Sequence, residues 1–173
     1  MKAITTLLLI AISGIGFSQQ KSMDDIARRG TLEEVKILMK DNPDIINTPN
    51  EKGFTPLILA CYNGNIEVAR FLIDHVKDIN YRSNEGTALA GLCIRYNSEL
   101  VKYLLQKKAD PNIADTTGTT PLIWAVKMGN EELVTILLKY GAKKEQADEM
   151  GITPFEYALK SQKTNIINLL KSD

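Results

Sequence analysis

Gly53-Phe54-Thr55-Pro56-Leu57 returns 65 residues later as Gly118-Thr119-Thr120-Pro121-Leu122. Looser copies, Thr87-Ala88-Leu89 and Thr153-Pro154-Phe155, set the four Thr positions 32, 33 and 33 residues apart, and Leu38, Leu72, Leu104, Leu137 and Leu170 recur at 34, 32, 33 and 33. A fixed period of this length means stacked units, none of which buries its apolar face alone. The pentapeptide also dictates how each unit starts. Thr at an N-cap accepts a backbone N–H that the first helical turn leaves unpaired, and Pro at the first helical position lacks a donor that would be idle there. Gly64 and Gly129 stand where the first helix must stop and reverse, which favours positive φ. A second helix follows, with the apolar stripe Ile66, Val68, Ala69, Leu72 and Ile73, matched by Leu133, Val134, Leu137 and Leu138.

Composition narrows the function classes. The 173 residues hold 21 basic and 21 acidic side chains, one His, two Cys and 44% hydrophobic residues. That describes one soluble domain and excludes a polycationic nucleic-acid binder, a structural zinc site and a disulfide-stapled miniprotein. The first eighteen residues read as a secretory signal: Lys2 supplies the charge, Leu7 to Ile12 the apolar run, and Gly16-Phe17-Ser18 the small residues of a cleavage site. Ser13, Gly14 and Gly16 break the run well short of the roughly 20 residues that span a bilayer. Export to the periplasm or beyond is the expectation, with no membrane association after cleavage. The cleaved chain would carry one net negative charge and no pull toward phosphate backbones.

With Ala60 and Gly64 following the first pentapeptide, and Ala125 and Gly129 the second, the repeat resembles the ankyrin repeat family over Ser22 to Asp173. Lys108-Ala109-Asp110-Pro111-Asn112 and Tyr140-Gly141-Ala142 are similar to the family's segment between repeats. The resemblance implies an all-α solenoid of stacked helix–turn–helix units with β-turn loop tips. It divides residues 19–173 into an N-terminal capping unit (22–49), repeats at 50–82, 83–114 and 115–147, and a C-terminal repeat (148–173). The family's His after Thr-Pro-Leu is replaced by Ile58, Ala90, Ile123 and Glu156, so its bridging hydrogen bonds, each worth about 1 kcal/mol, are expected to be lost. The unit at 83–114 departs furthest. It is one residue short before Thr87, has Ala88 for Pro, and carries Tyr96 where Gly belongs, so Asn97 is expected to take the left-handed conformation. Local softness is expected from Tyr81 to Asn97.

The search for chemistry is largely negative. Gly14-Ile15-Gly16 would need a third Gly at Gln19 to form a dinucleotide fingerprint, and no phosphate-binding loop exists. His75 closes a second helix, where a cation suits the dipole. Cys61 and Cys93 occupy one position of the first helix in adjacent repeats, equivalent to Val126 and Leu159. One repeat translation of roughly 8–10 Å separates them, beyond the ~7 Å that a disulfide spans, so both are expected as buried thiols. Asp24-Asp25, Glu33-Glu34 and Glu131-Glu132 each sit at a helix start and complement its dipole. No cofactor and no metal is indicated.

Recognition remains. In ankyrin-like arrays, the resemblance implies, binding is carried by the loop tips and the exposed side of the first helices, which line a concave face. Those positions are Glu51, Lys52, Phe54, Tyr62 and Asn63; Ser83, Asn84, Gly86, Ile94 and Arg95; Thr116, Thr117, Thr119, Lys127 and Met128; and Glu149, Met150, Ile152, Lys160 and Ser161. Phe54, Tyr62, Ile94, Arg95, Met128, Met150 and Ile152 are residue types that anchor protein partners. Trp124 is expected to pack in the core between first helices. The expected function is that of a monomeric, non-enzymatic adaptor binding another protein, with no nucleic acid involved. A dedicated immunity, inhibitor or peroxide-stress accessory protein for one enzyme is the alternative that the resemblance implies. An enzyme, the third class, would need a polar constellation that the sequence does not supply.

Overall fold

Capping chemistry sets the register of the helices. In the computed structural model, which describes residues 21–171, the hydroxyls of Thr55, Thr87, Thr120 and Thr153 accept the backbone N–H groups of Ile58, Ala90, Ile123 and Glu156 at 3.4, 3.4, 3.2 and 3.3 Å. Each Thr therefore starts a first helix: α3 (Pro56–Asn63), α5 (Ala88–Ile94), α7 (Pro121–Met128) and α9 (Pro154–Lys160). The second helices are α4 (Ile66–His75), α6 (Ser98–Gln106), α8 (Glu131–Lys139) and α10 (Thr164–Lys171). Ahead of them, α1 (Met23–Arg29), α2 (Leu32–Asp41) and a 3-10 turn (Pro43–Asn47) form the first unit. The signal segment lies outside the described residues.

Packing follows the repeat. α1, α3, α5, α7 and α9 stack in one layer, and α2, α4, α6, α8 and α10 in a second. Between the layers Val35, Leu72, Leu104 and Leu137 are fully buried, each worth about 1.5–3 kcal/mol of burial free energy. Cys61 and Cys93 are free, buried thiols, and burial pushes both well above the ordinary thiol range. His75 is exposed, stacks on Phe71, and lies 2.7 Å through Nδ1 from the Phe71 carbonyl. Among the described residues no group of His, Cys, Asp and Glu could hold a metal ion, and no helix is long and apolar enough to cross a membrane.

One local expectation needs correction. Asn97 is not left-handed: its φ is −140°, and its side chain caps α6 by accepting the Leu100 N–H at 2.9 Å. α5 avoids the left-handed turn that Gly64 and Gly129 make, both at φ 74°, by ending at Ile94. The His bridges are absent, and a ladder of asparagines joins the units instead. Asn47, Asn80 and Asn112 each accept a backbone N–H from the next unit, those of Lys77, Asp110 and Lys143, at 2.8 Å. Asn80 and Asn112 also donate to the carbonyls of Lys108 and Gly141. Leu159, at the position of Cys93 and Val126, is 48% exposed, because no described helix stacks beyond α9 as α7 and α9 stack on those two residues. Lys163, in the last turn before α10, is half-buried. Its ammonium donates to the carbonyls of Val126 and Lys127 at 2.8 and 2.9 Å, closing the C-terminus of α7.

Candidate functional site: the inner face of the first helices

Four loops overhang the first helices, and each is shaped by the residue that opens it. Asn50, Asp115 and Asp148 accept, through one side-chain oxygen, two backbone N–H groups of their own loop: Lys52 and Phe54, Thr117 and Thr119, Met150 and Ile152, all at 2.9–3.0 Å. Ser83 opens the shorter loop, where it and Gly86 exchange backbone hydrogen bonds at 3.0 and 3.1 Å. Neighbouring loops are stitched together by Thr116 N–H to Asn84 O, by Glu149 N–H to Thr117 O, and by Arg82, which donates to the carbonyls of Ala114 and Asp115.

This construction removes three of the expected contact residues from the surface. Ser83 is 6% exposed, because its hydroxyl donates to the Gly86 carbonyl inside the shortened turn. Gly86 is buried with it, against Ala90 and Asp115. Thr119 is 3% exposed, drawn inward by Asp115 and by its hydroxyl contact with Thr117 at 2.9 Å. Phe54 and Ile152 are half-buried, and Phe54 packs against the core. Glu51, Lys52, Asn84, Thr116, Thr117, Glu149 and Met150 are exposed on the loops, and Tyr62, Asn63, Ile94, Arg95, Lys127, Met128, Lys160 and Ser161 on the helices.

Two groupings form among them. Phe54, Leu59, Tyr62 and Asn63 meet Arg28 and Glu85 around a pocket of about 330 Å³. Further along, the Trp124 indole donates to Asp115 Oδ2 at 3.3 Å, and the Tyr157 hydroxyl donates to Asp148 Oδ2 at 2.5 Å. Lys127 lies across both rings, 5.4 Å from the Trp124 centroid and 4.5 Å from that of Tyr157, with Lys160 6.0 Å from Tyr157. Burial raises the Asp148 carboxyl, but hydrogen bonds from Tyr157, Ile152 and Met150 outweigh it and hold the group below the usual carboxylate range. Asp148 is therefore anionic at neutral pH and keeps the phenol ring in place.

Trp124 corrects its expectation: it is half-buried, with one edge on the core and its N–H held by a loop carboxylate. Sequence reasoning also passed over Tyr157, Asp115, Asp148 and Arg28. The signal was present in the register. Leu59, Gly91, Trp124 and Tyr157 are equivalent positions, and the two whose side chains can donate a hydrogen bond share a unit with Asp at the loop start, where the others have Asn50 and Ser83.

Comparison with known proteins agrees with this architecture. Residues 23–115, and again 91–173, match a model of ankyrin repeats in three copies. Rat "Ankyrin repeat and SAM domain-containing protein 6" is 31% identical over 107 residues, covering 59% of this chain and 12% of that protein. Human "DNA-binding protein RFXANK" is 34% identical over 71 residues, 41% of this chain and 27% of that protein. The nematode Caenorhabditis elegans "Poly [ADP-ribose] polymerase tankyrase" is 29% identical over 108 residues, 56% of this chain and 5% of that protein. The chain thus spans only a small part of each of these relatives.

Proposed function

The chain belongs to the ankyrin repeat family, and from that premise we propose that it is a non-enzymatic adaptor whose inner face docks a partner protein. Ankyrin repeats mediate protein–protein interaction; which face and which partner serve here is the new part of the reading. The observation that carries it is the platform of Trp124, Tyr157 and Lys127. Two loop carboxylates hold the two rings, and Lys127 spans them. Side chains fixed before binding lose little entropy on contact, and aromatic and basic residues are those that carry interface energy. The exported site of action rests on Lys2, Leu7 to Ile12 and Gly16-Phe17-Ser18, and a monomer is the species proposed to act there.

The test begins with capture from periplasmic extract. A Tyr62→Ala, Arg95→Ala double variant should bind the captured protein more weakly by about 2 kcal/mol or more. Glu67→Ala with Lys102→Ala, on the second-helix layer, should change affinity by less than about 0.5 kcal/mol. Titration calorimetry reads both, with circular dichroism as the folding check. Undiminished binding by the first variant moves the partner off this face, and an intact Met1 on the native protein refutes export.

A further inference from the structure

We propose that the segment docked on this face is acidic: an extended stretch of a partner protein whose carboxylates seat on Arg95, Lys127 and Lys160. The proposal rests on the docking reading above and adds the chemistry of the occupant.

Charge on the inner face is lopsided. The row formed by Arg28, Tyr62, Ile94, Lys127 and Lys160, with the adjoining row Arg29, Asn63, Arg95, Met128 and Ser161, contains five cations and no acid. The chain as a whole has 21 of each sign, so the acids have been placed elsewhere. Arg28 and Arg29 pair within α1, with Asp24 at 3.8 Å and Asp25 at 3.7 Å. Arg95, Lys127 and Lys160 are in no ion pair with any described residue.

Three carboxylates on this side of the array are engaged in local hydrogen bonds. Asp148, which faces Lys127, takes the Tyr157 hydroxyl and two backbone N–H groups. Glu156, beside Lys160, closes the capping box on Thr153. Asp115 holds its own loop and Trp124. Nor does the helix dipole absorb Lys127, since the last carbonyls of α7 are occupied by the Lys163 ammonium. Asp148 and Glu156 offset Lys127 and Lys160 in part, but neither forms an ion pair with them, and the N–H groups of Arg95, Lys127 and Lys160 remain available to carboxylates from outside.

Geometry sets the kind of anion. Two helix-to-helix steps of about 8–10 Å separate the α5 row from the α9 row, so about six residues of extended chain cover the three cations. Glu51, Glu85 and Glu149 are exposed on the loop rim. A polyanion charged at every unit is repelled by that rim, whereas a peptide with carboxylates on alternate residues turns them toward the helices and its other side chains toward the apolar surface.

The probe is a dye-labelled peptide, Gly-Glu-Tyr-Glu-Leu-Glu-Gly, titrated with the full chain by fluorescence anisotropy, against a counterpart with Lys for Glu. The acidic peptide should bind at least about tenfold more tightly, and its advantage should fall between about 50 and about 300 mM salt. Arg95→Gln/Lys127→Gln/Lys160→Gln should lose about tenfold in affinity with an unchanged circular dichroism spectrum; should that variant misfold, Arg95→Gln alone, on an exposed side chain, should still lose severalfold. No binding, equal binding of the two peptides, or equal binding by folded variants overturns the proposal. So does polyuridylate competing as well as poly-L-glutamate, which would assign the cations to phosphate. If Tyr62→Ala weakens the captured partner while the acidic peptide neither binds nor competes, the acidic chemistry falls and the docking face stands.

Discussion

Lys108 and Gln162 occupy left-handed backbone, at φ 73° and 54°, in positions where other units place Gly141 (φ 87°) and Gly64 or Gly129 (both 74°). A non-glycine residue there costs about 1–2 kcal/mol. Replacement by Gly recovers that strain but enlarges the unfolded ensemble, a penalty of about 0.5–1 kcal/mol. The side chains contribute little to offset the gain: both residues are exposed, and the contacts around them are made by backbone atoms, Lys108 N–H to Leu105 O and Gln162 N–H to Leu159 O. Lys108→Gly and Gln162→Gly should thus each stabilise by about 0.5–1 kcal/mol, raising Tm by a few degrees for a chain of this size. The contrasting change is Gly118→Ala. At φ 76° the methyl meets the same strain, and it would also stand 2.7 Å from the Glu149 nitrogen and 3.0 Å from the Asp148 carbonyl carbon, backbone atoms of the next loop. A loss of about 2 kcal/mol or more is expected. Urea titration followed by circular dichroism reads all three. A destabilised Lys108→Gly, or a neutral Gly118→Ala, would refute the conformations assigned to these turns.

Leu72→Ala and Leu137→Ala delete fully buried side chains and should each cost about 2–5 kcal/mol; melts within a degree or two of the parent would contradict the repeat register. Acid should destabilise the array. Lys21 and the Thr31 N–H hold Glu34 below the usual carboxylate range, Lys107 and the Tyr103 hydroxyl do so for Asp74, and the Thr153 N–H and hydroxyl for Glu156. Groups with depressed folded-state pKa values contribute stability above their unfolded values and lose it as pH falls through the folded ones, so Tm should be flat near neutrality and fall from about pH 4 downward; no fall there would refute it. Amides from Tyr81 to Asn97 should exchange with deuterium faster than their equivalents in the third repeat, 115–147, because α5 begins with Ala88 in place of Pro and ends without a glycine turn; equal protection would remove that expectation.

The scaffold was legible because its instructions are local. Thr55, Thr87, Thr120 and Thr153 each cap the helix that follows them within three residues, so spacing alone fixed where first helices begin. Asn97 escaped because its role depends on a competition between two local solutions, and α5 took the one that ends the helix early. Ser83 and Thr119 were misplaced for a related reason. A loop position projects outward only if the loop does not bond to it, and both hydroxyls are drawn inward by their own turns. The asparagine ladder was hidden by distance, since each rung joins residues about thirty positions apart that come together only when units stack.

What varies between units at one geometric position is what the fold leaves free. Buried positions repeat closely: Leu72, Leu104 and Leu137 are equivalent and fully buried, and so are Ala69, Val101 and Val134. The inner-face position held by Leu59, Gly91, Trp124 and Tyr157 repeats in none of the four. Gly91 has a steric reason, because a Cβ there would lie 3.3 Å from the Tyr62 nitrogen where α5 crosses α3. That close crossing divides the face into the pocket around Phe54, Leu59 and Tyr62 on one side and the platform of Trp124, Lys127 and Tyr157 on the other. Trp124 and Tyr157 pack one side against the core and leave the other at the surface, whereas Ala125, Val126 and Ala158 beside them are fully buried. A tryptophan and a tyrosine half-exposed there, each tied to a loop carboxylate, are of the kind that the docking role proposed for this face would use. The inner face is therefore the part of this array whose sequence the fold does not account for.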